Sequence, residues 1–151
     1  LVFTTSLDQK AQGGVAVKKL QLRFVEKVAE TSENGEIEIW GDGKQTRSFL
    51  FIDECVEAVR RLMNSDFVGP VNIGSEEMVT VNQLAEMASQ IAGKKVRIKN
   101  VPGPTGVRGR NSDNRVIRQK LNWEPSMKLR DGLAKTYEWI QEQVLKSVVT
   151  A

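Results

Sequence analysis

Glu36–Trp40, EIEIW, alternates charged and apolar residues and stops against Gly41-Asp42-Gly43. A strict period of two predicts a strand with one buried and one wet face, and the Gly-Asp-Gly tract marks a turn. Beyond the polar Lys44-Gln45-Thr46-Arg47, the apolar run Ser48–Ile52 predicts a second short strand. The period then becomes helical: Val56, Val59, Leu62 and Met63 form one apolar stripe, with Arg60 and Arg61 outside it and Asp53 placed to cap the first turn. Switching from strand to helix period within so short a tract requires the two element types to interleave. That excludes a pure helical bundle or an all-β sandwich and predicts an α/β or α+β arrangement.

The remaining pattern agrees. FVEKVAE from Phe24 suits a helix with Phe24, Val25 and Val28 on one side. Gly69-Pro70 breaks the chain before Val71-Asn72-Ile73-Gly74, which reads as a short strand. Thr80-Val81-Asn82-Gln83 is a capping box opening a helix that carries Leu84, Met87, Ala88 and Ile91 and stops at Gly93. Val96–Lys99 alternates as a strand, followed by the long polar loop PGPTGVRGRNSDN. A short helix is predicted over 114–121, a turn at Trp123-Glu124-Pro125, and a last helix from Leu129 burying Leu133, Tyr137, Ile140 and Val144. Residues 1–23 show no consistent apolar period.

Composition narrows the chemistry. The chain has 151 residues, 40% hydrophobic and 27% charged, which suits one ordinary globular domain. A net charge of +3 does not by itself point to nucleic acid. No apolar run approaches the roughly 18 residues of a membrane span, and no signal segment is visible at the start. Histidine is absent, which excludes histidine triads and the usual zinc sites; no metal site is expected. Cys55 is the single cysteine, so no internal disulfide forms and a reducing, cytoplasmic setting is expected.

Three features could carry binding chemistry. Gly103, Gly106 and Gly109 match a dinucleotide-type glycine spacing. A dinucleotide turn must lead into an apolar helix whose N–H groups meet the pyrophosphate. Here the exit is Arg-Asn-Ser-Asp-Asn, which favours a flexible loop. Arg108 and Arg110 in that loop, and Arg47 after the Gly-Asp-Gly turn, are guanidinium forks suited to phosphate oxygens. Each is equally readable as a solvated loop cation, and spacing does not show that the two loops meet. Cys55 and Tyr137 read as core filling, and Trp40, Trp123 and Trp139 as packing residues.

The strings WGDGKQTRSFLFIDECVEAV, PVNIGSEE and PGPTGVRGRNSDN together resemble the C-terminal part of the extended short-chain dehydrogenase/reductases that act on nucleotide sugars. RSFLFIDECVE and GVRGRNSDN are more particular to the GDP-mannose 3,5-epimerases among them. The likeness runs from about Phe24 to Val144. It implies an α/β fold, a small sheet with several helices, forming the substrate-binding part without the N-terminal Rossmann half. It also implies that Gln45, Thr46 and Arg47 contact a GDP-sugar, that Arg110 holds the diphosphate from the other loop, and that Lys27 is a further substrate contact. Family members use bound NAD to oxidise the sugar, exchange protons beside the resulting ketone and reduce it again. The intact family member is expected to be a homodimer, with no nucleic-acid or membrane partner.

Two departures qualify the resemblance. The family's Tyr-x-x-x-Lys pair has no counterpart: Tyr137 is followed four residues on by Gln141. The family's Gly-Arg-Glu-Lys-Ala-Pro-Ala-Ala-Phe segment is replaced by Val15–Arg23. Given suitable codons, residues 1–23 shifted by one nucleotide spell HNIFGP and then Arg-Glu-Lys-Ala-Pro-Ala-Ala-Phe, close to the two family segments in their order. Residues 1–23 are therefore expected to be a poorly ordered, out-of-frame segment, with 24–147 the nucleotide-sugar-binding domain and 148–151 a tail. The chain alone is expected to contain no catalytic residue, to bind no NAD and to be inactive. The alternatives are another nucleotide-sugar epimerase or dehydratase of the same superfamily, and a non-enzymatic anion- or RNA-binding module.

Overall fold

The computed structural model describes residues 2–3, 24–104 and 106–149, with side chains for 24–104 and 106–146. In chain order the elements are β1 (Val2–Phe3), α1 (24–30), β2 (Glu36–Trp40), β3 (Thr46–Ser48), β4 (Leu50–Phe51) and α2 (Ile52–Met63). They continue with β5 (Met78–Thr80), α3 (Val81–Ala92), β6 (Arg97–Val101), α4 (Arg115–Leu121) and α5 (Leu129–Val149). The expectation of disorder over 1–23 falls outside the described residues, apart from the backbone of β1.

Three two-stranded pairings organise the described residues. β2 and β6 pair in parallel with Ile37 opposite Ile98, joined by a crossover that contains α3. β3 pairs antiparallel with β5, Arg47 opposite Val79, and β1 pairs antiparallel with β4. The alternation of EIEIW is realised: Ile37 and Ile39 are buried, while Glu36, Glu38 and Trp40 face outward. Phe24, Val25 and Val28 of α1 pack with those isoleucines, with Leu84, Ala85 and Ala88 of α3, and with Leu133, Tyr137 and Ile140 of α5. A smaller core joins Leu50, Ala58, Ile117 and Trp123, with Cys55, Val71 and Ile73 against it. Burial pushes the Cys55 thiol and the Tyr137 phenol above their ordinary pKa values.

Capping is as the sequence predicts for α3. The Gln83 N–H donates to Thr80 Oγ1 at 3.1 Å, the Thr80 N–H donates to Gln83 Oε1 at 2.8 Å, and Gly93 takes the left-handed conformation that ends the helix.

Four expectations are corrected. Asp53 does not cap α2: the N-cap is Phe51, which has no side-chain bond, and Asp53 lies inside the first turn, where its charge complements the helix dipole. Val71–Gly74 is not a strand: a strand needs a partner, and among the described residues none pairs with it, although Val71 and Ile73 reach the smaller core. The nearby strand is instead Met78–Thr80, too short for its alternation to register in sequence. The α2 stripe is largely uncovered: Val56, Val59 and Met63 are 57%, 41% and 79% exposed, because the helix turns Ala58 toward the smaller core. Trp40 and Trp139 are likewise exposed rather than packed, whereas Trp123 is buried.

Candidate anion-binding site

The Gly-Asp-Gly turn is locked onto the start of α3. Asn82 N–H donates to the Gly43 carbonyl at 3.1 Å, Val81 N–H to the Gln45 carbonyl at 3.1 Å, and Asn82 Nδ2 to the Asp42 carbonyl at 3.3 Å. Gly43 has φ +65, and a Cβ there would lie 1.8 Å from Asn82 Oδ1, so only glycine fits. The turn thereby fixes where β3 begins and delivers Gln45, Thr46 and Arg47 in sequence.

The second loop comes to meet them. Thr46 forms a parallel bridge with Gly109: Thr46 N–H donates to the Arg108 carbonyl at 2.8 Å, and Arg110 N–H donates to the Thr46 carbonyl at 3.4 Å. A Cβ on Gly109 would lie 2.8 Å from Thr46 Oγ1, which is why the loop can approach so closely. With Thr46 beside Gly109 in parallel register, the next residues on each strand are Arg47 and Arg110. The sequence left open whether the two loops touch; they do, through backbone hydrogen bonds.

Electrostatics follow from that placement. Arg47 is held below the ordinary arginine pKa, first by partial burial and then by the charge of Arg110. Arginine does not deprotonate in a protein, so the shift reports the cost of keeping Arg47 charged where it is half-buried and near a second cation. Arg47 Nη1 donates to the Thr46 carbonyl at 2.7 Å, and among the described residues no carboxylate pairs with it. Gln45 Nε2 reaches the Trp40 carbonyl at 3.3 Å, while its Oε1 is buried without a partner. Trp40 presents an exposed indole face at this end of β2, next to Gly103 of the second loop.

Lys27 stands apart from the arginines in its contacts: its Nζ donates to the Glu38 carbonyl of β2 at 3.5 Å. Arg108 is exposed. A cleft of about 620 Å³ lined by Asn34, Glu86, Gln90, Lys94 and Arg97 lies elsewhere. Lys94 is occupied there as a cap, donating to the carbonyls of Val28, Ala29 and Thr31.

The loop is anchored by residues that sequence reasoning passed over. Asn114, 1% exposed, donates from Nδ2 to the Gly74 carbonyl at 2.6 Å and accepts at Oδ1 from the Ser112 hydroxyl at 2.6 Å. Its N–H donates to Glu76 Oε1 at 3.3 Å, and Asn72 Nδ2 donates to the Asp113 carbonyl at 3.2 Å. Glu76 also pairs with Arg118, and Glu77 Oε2 accepts from the Leu129 N–H at 2.8 Å at the start of α5. VNIGSEE is thus the hub that holds GVRGRNSDN. The one sequence signal for this was the pairing of two asparagines with an acidic pair, too common to interpret alone.

The glycine tract does not fit a dinucleotide. Gly109 leads into irregular backbone over 110–114, and α4 starts only at Arg115, so no helix N-terminus faces the tract. Among the described residues no helix is long and apolar enough to cross a membrane, and no group of His, Cys, Asp or Glu could hold a metal ion.

Comparison with known families matches residues 8–136 to the GDP-mannose 4,6 dehydratase family. The chain belongs to that family. Within it, the chain is 59% identical over 118 residues to the GDP-mannose 3,5-epimerase of Arabidopsis thaliana, covering 78% of this chain and 31% of the relative. It is 34% identical over 119 residues to UDP-glucuronic acid decarboxylase 1 of the same plant, covering 78% of this chain and 27% of that protein. The chain therefore spans about a third of the length of the curated relatives it matches. Among solved structures, the UDP-glucose 4-epimerase of Thermotoga maritima with UDP-glucose superposes with a TM-score of 0.73 at 30% identity, over 81% of this chain and 39% of that one. The Bacillus cereus UDP-glucuronic acid 4-epimerase, solved with UDP-glucuronic acid and NAD, gives 0.71 at 25% identity, over 80% and 39%. The fold is the C-terminal portion of these extended epimerases, as the motif resemblance implies.

Proposed function

We propose that this chain is the sugar-nucleotide-binding part of a GDP-mannose 3,5-epimerase-like protein, with Arg47 and Arg110 gripping the diphosphate. The observation that carries this is the Thr46–Gly109 bridge, which puts Arg47 and Arg110 at neighbouring positions on paired backbone, near enough for the charge of Arg110 to act on Arg47. Like charges held close together, here a half-buried Arg47 and an exposed Arg110, are stabilised by an anion that bonds both, and a diphosphate offers oxygens to two forks at once. Gln45 and Thr46 flank the same point. The buried Oε1 of Gln45 is an acceptor ready for a sugar or base donor, and the exposed Trp40 indole supplies a flat apolar surface for the base. Lys27, bound to β2, serves the substrate by moving off the Glu38 carbonyl.

The chemistry of the family requires NAD, and the described residues offer no glycine turn opening a helix for it. We read the role of this chain as binding and orienting the nucleotide sugar, and purified chain is expected to leave GDP-mannose unchanged. Titration calorimetry with GDP-mannose, UDP-glucose and a dTDP-sugar tests the reading. The guanosine ligand binds best, and Arg47→Ala and Arg110→Ala each lose about 2 kcal/mol, roughly thirty-fold in Kd. Arg47→Lys recovers only part of the loss, and Arg130→Ala has no effect. Affinity unchanged from the unsubstituted chain in both alanine variants would sink the clamp. Equal preference for the three bases favours a broader epimerase or dehydratase role. A steep salt dependence with indifference to the sugar favours an RNA-binding module.

A further inference from the structure

The end of α3 closes the end of α1. Gly93 takes a left-handed φ of +66 and ends α3, and Lys94 after it donates its N–H back to the Ser89 carbonyl at 3.1 Å. That turn aims the Lys94 side chain at α1. Its ammonium donates there to three carbonyls: Val28 at 3.2 Å, Ala29 at 2.6 Å and Thr31 at 2.8 Å. The last carbonyls of a helix have no partner within it, and a cation there also meets the negative end of the helix dipole. Lysine suits the place because its ammonium presents three donors from one point. The carbonyl one residue earlier, that of Lys27, is taken by the Thr31 N–H at 2.9 Å and by the Thr31 hydroxyl.

α1 depends on this closure. It covers only 24–30, and a helix so short is marginal alone. Phe24, Val25 and Val28 fix its inner face in the core, whereas Lys27 is exposed. Fraying from the C-terminal end reaches Lys27 as soon as the Val28 and Ala29 carbonyls are released. We infer that, with Lys27 contacting the nucleotide sugar as proposed above, Lys94 is a positioning residue for that contact: by tying off α1 it fixes where the Lys27 ammonium stands beside β2. The three donors of Lys94 are committed to α1, so Lys94 does not itself touch the ligand.

Titration calorimetry of the chain with GDP-mannose tests this through a double-mutant cycle. Lys27→Ala is expected to weaken binding about ten-fold. Lys94→Met, which keeps the side chain's length but none of its donors, weakens it about five-fold. Together the two lose no more than Lys27→Ala alone, because without that ammonium nothing is left for Lys94 to place. Lys94→Met combined with Arg47→Ala is additive. Lys94→Arg keeps the charge without the three-way donor geometry and recovers only part of the loss. Lys95→Ala removes the same charge one residue on, where the side chain bonds nothing among the described residues, and changes nothing. If circular dichroism shows Lys94→Met unfolded, Lys94→Arg takes its place in the cycle. Unchanged affinity on replacing Lys94 overturns the inference, and so does the same loss with and without the Lys27 ammonium, the mark of a purely structural cap. An effect of Arg47→Ala with none of Lys27→Ala removes Lys27 from the site, and Lys94 with it, while the arginine clamp stands. No effect of either overturns the binding reading itself.

Discussion

Replacing Asn114 by alanine should be among the most damaging single changes in this chain, although Asn114 belongs to no helix or strand. The side chain makes two buried hydrogen bonds, to the Gly74 carbonyl and from the Ser112 hydroxyl, both at 2.6 Å. Each such bond contributes about 1 kcal/mol net, and a buried partner left unsatisfied adds roughly 1–3 kcal/mol. The expected loss is therefore about 3–5 kcal/mol, a large part of the stability of a small domain. Urea unfolding followed by tryptophan fluorescence reads it, since Trp123 is buried in the core that Val71 and Ile73 contact. Ser112→Ala removes only one of the two bonds and should cost about 1 kcal/mol. Asn114→Asp keeps the shape but turns a donor toward the Gly74 carbonyl into an acceptor. It should be destabilising at neutral pH and recover in acid, where a protonated carboxyl can donate again. If Asn114→Ala lowers stability by less than about 0.5 kcal/mol, the latch between VNIGSEE and the arginine loop is not what holds the loop.

Other substitutions test the turns. Gly109→Ala would place a methyl 2.8 Å from Thr46 Oγ1, so it should open the Thr46–Gly109 bridge and weaken diphosphate binding while leaving helix content unchanged by circular dichroism. Gly43→Ala meets both a left-handed φ of +65 and the Asn82 side chain, and should lower stability by about 1–3 kcal/mol in thermal unfolding. The Asp113 carboxyl is held down at about 2, chiefly by its side-chain hydrogen bond from Arg115. Because the folded value lies below the ordinary one of about 3.9, the pair's small contribution is present above pH 4 and fades as pH falls through about 2. Carboxyl-carbon NMR reads this titration, and Arg115→Ala should return it toward the ordinary carboxylate range.

How much was legible in sequence depended on whether a residue acts through its neighbours in the chain. The alternation of EIEIW, the Thr80–Gln83 capping box and the Gly93 stop were read correctly because each is a local agreement of pattern and backbone. Val71–Gly74 was misread because alternation reports which side chains face inward, not whether a second strand is present to bond with. The α2 stripe was misjudged for a related reason: an apolar face shows that burial is favourable, not that the cover lies within these residues. At the site, Arg47 and Arg110 were recognisable as anion-binding types, but their meeting rests on main-chain bonds between Thr46 and the 108–110 segment. Main-chain bonds leave almost no mark in sequence, and Gly109 was the sole trace of this one. Asn114 was unreadable because a buried polar anchor looks like any loop asparagine until its partners are known.

The parallel pairing of β2 with β6 sets an order of events during synthesis. Glu36–Trp40 has no sheet partner until Arg97–Val101 has been made, and the crossover helix α3 must be spanned before the two can join. Until then Ile37 and Ile39 lack the strand that will flank them, and closing so long a loop is entropically slow. A nascent chain stalled before Val101 would therefore leave the Ile37 and Ile39 strand unpaired, making that stage one at which a growing polypeptide needs protection from aggregation.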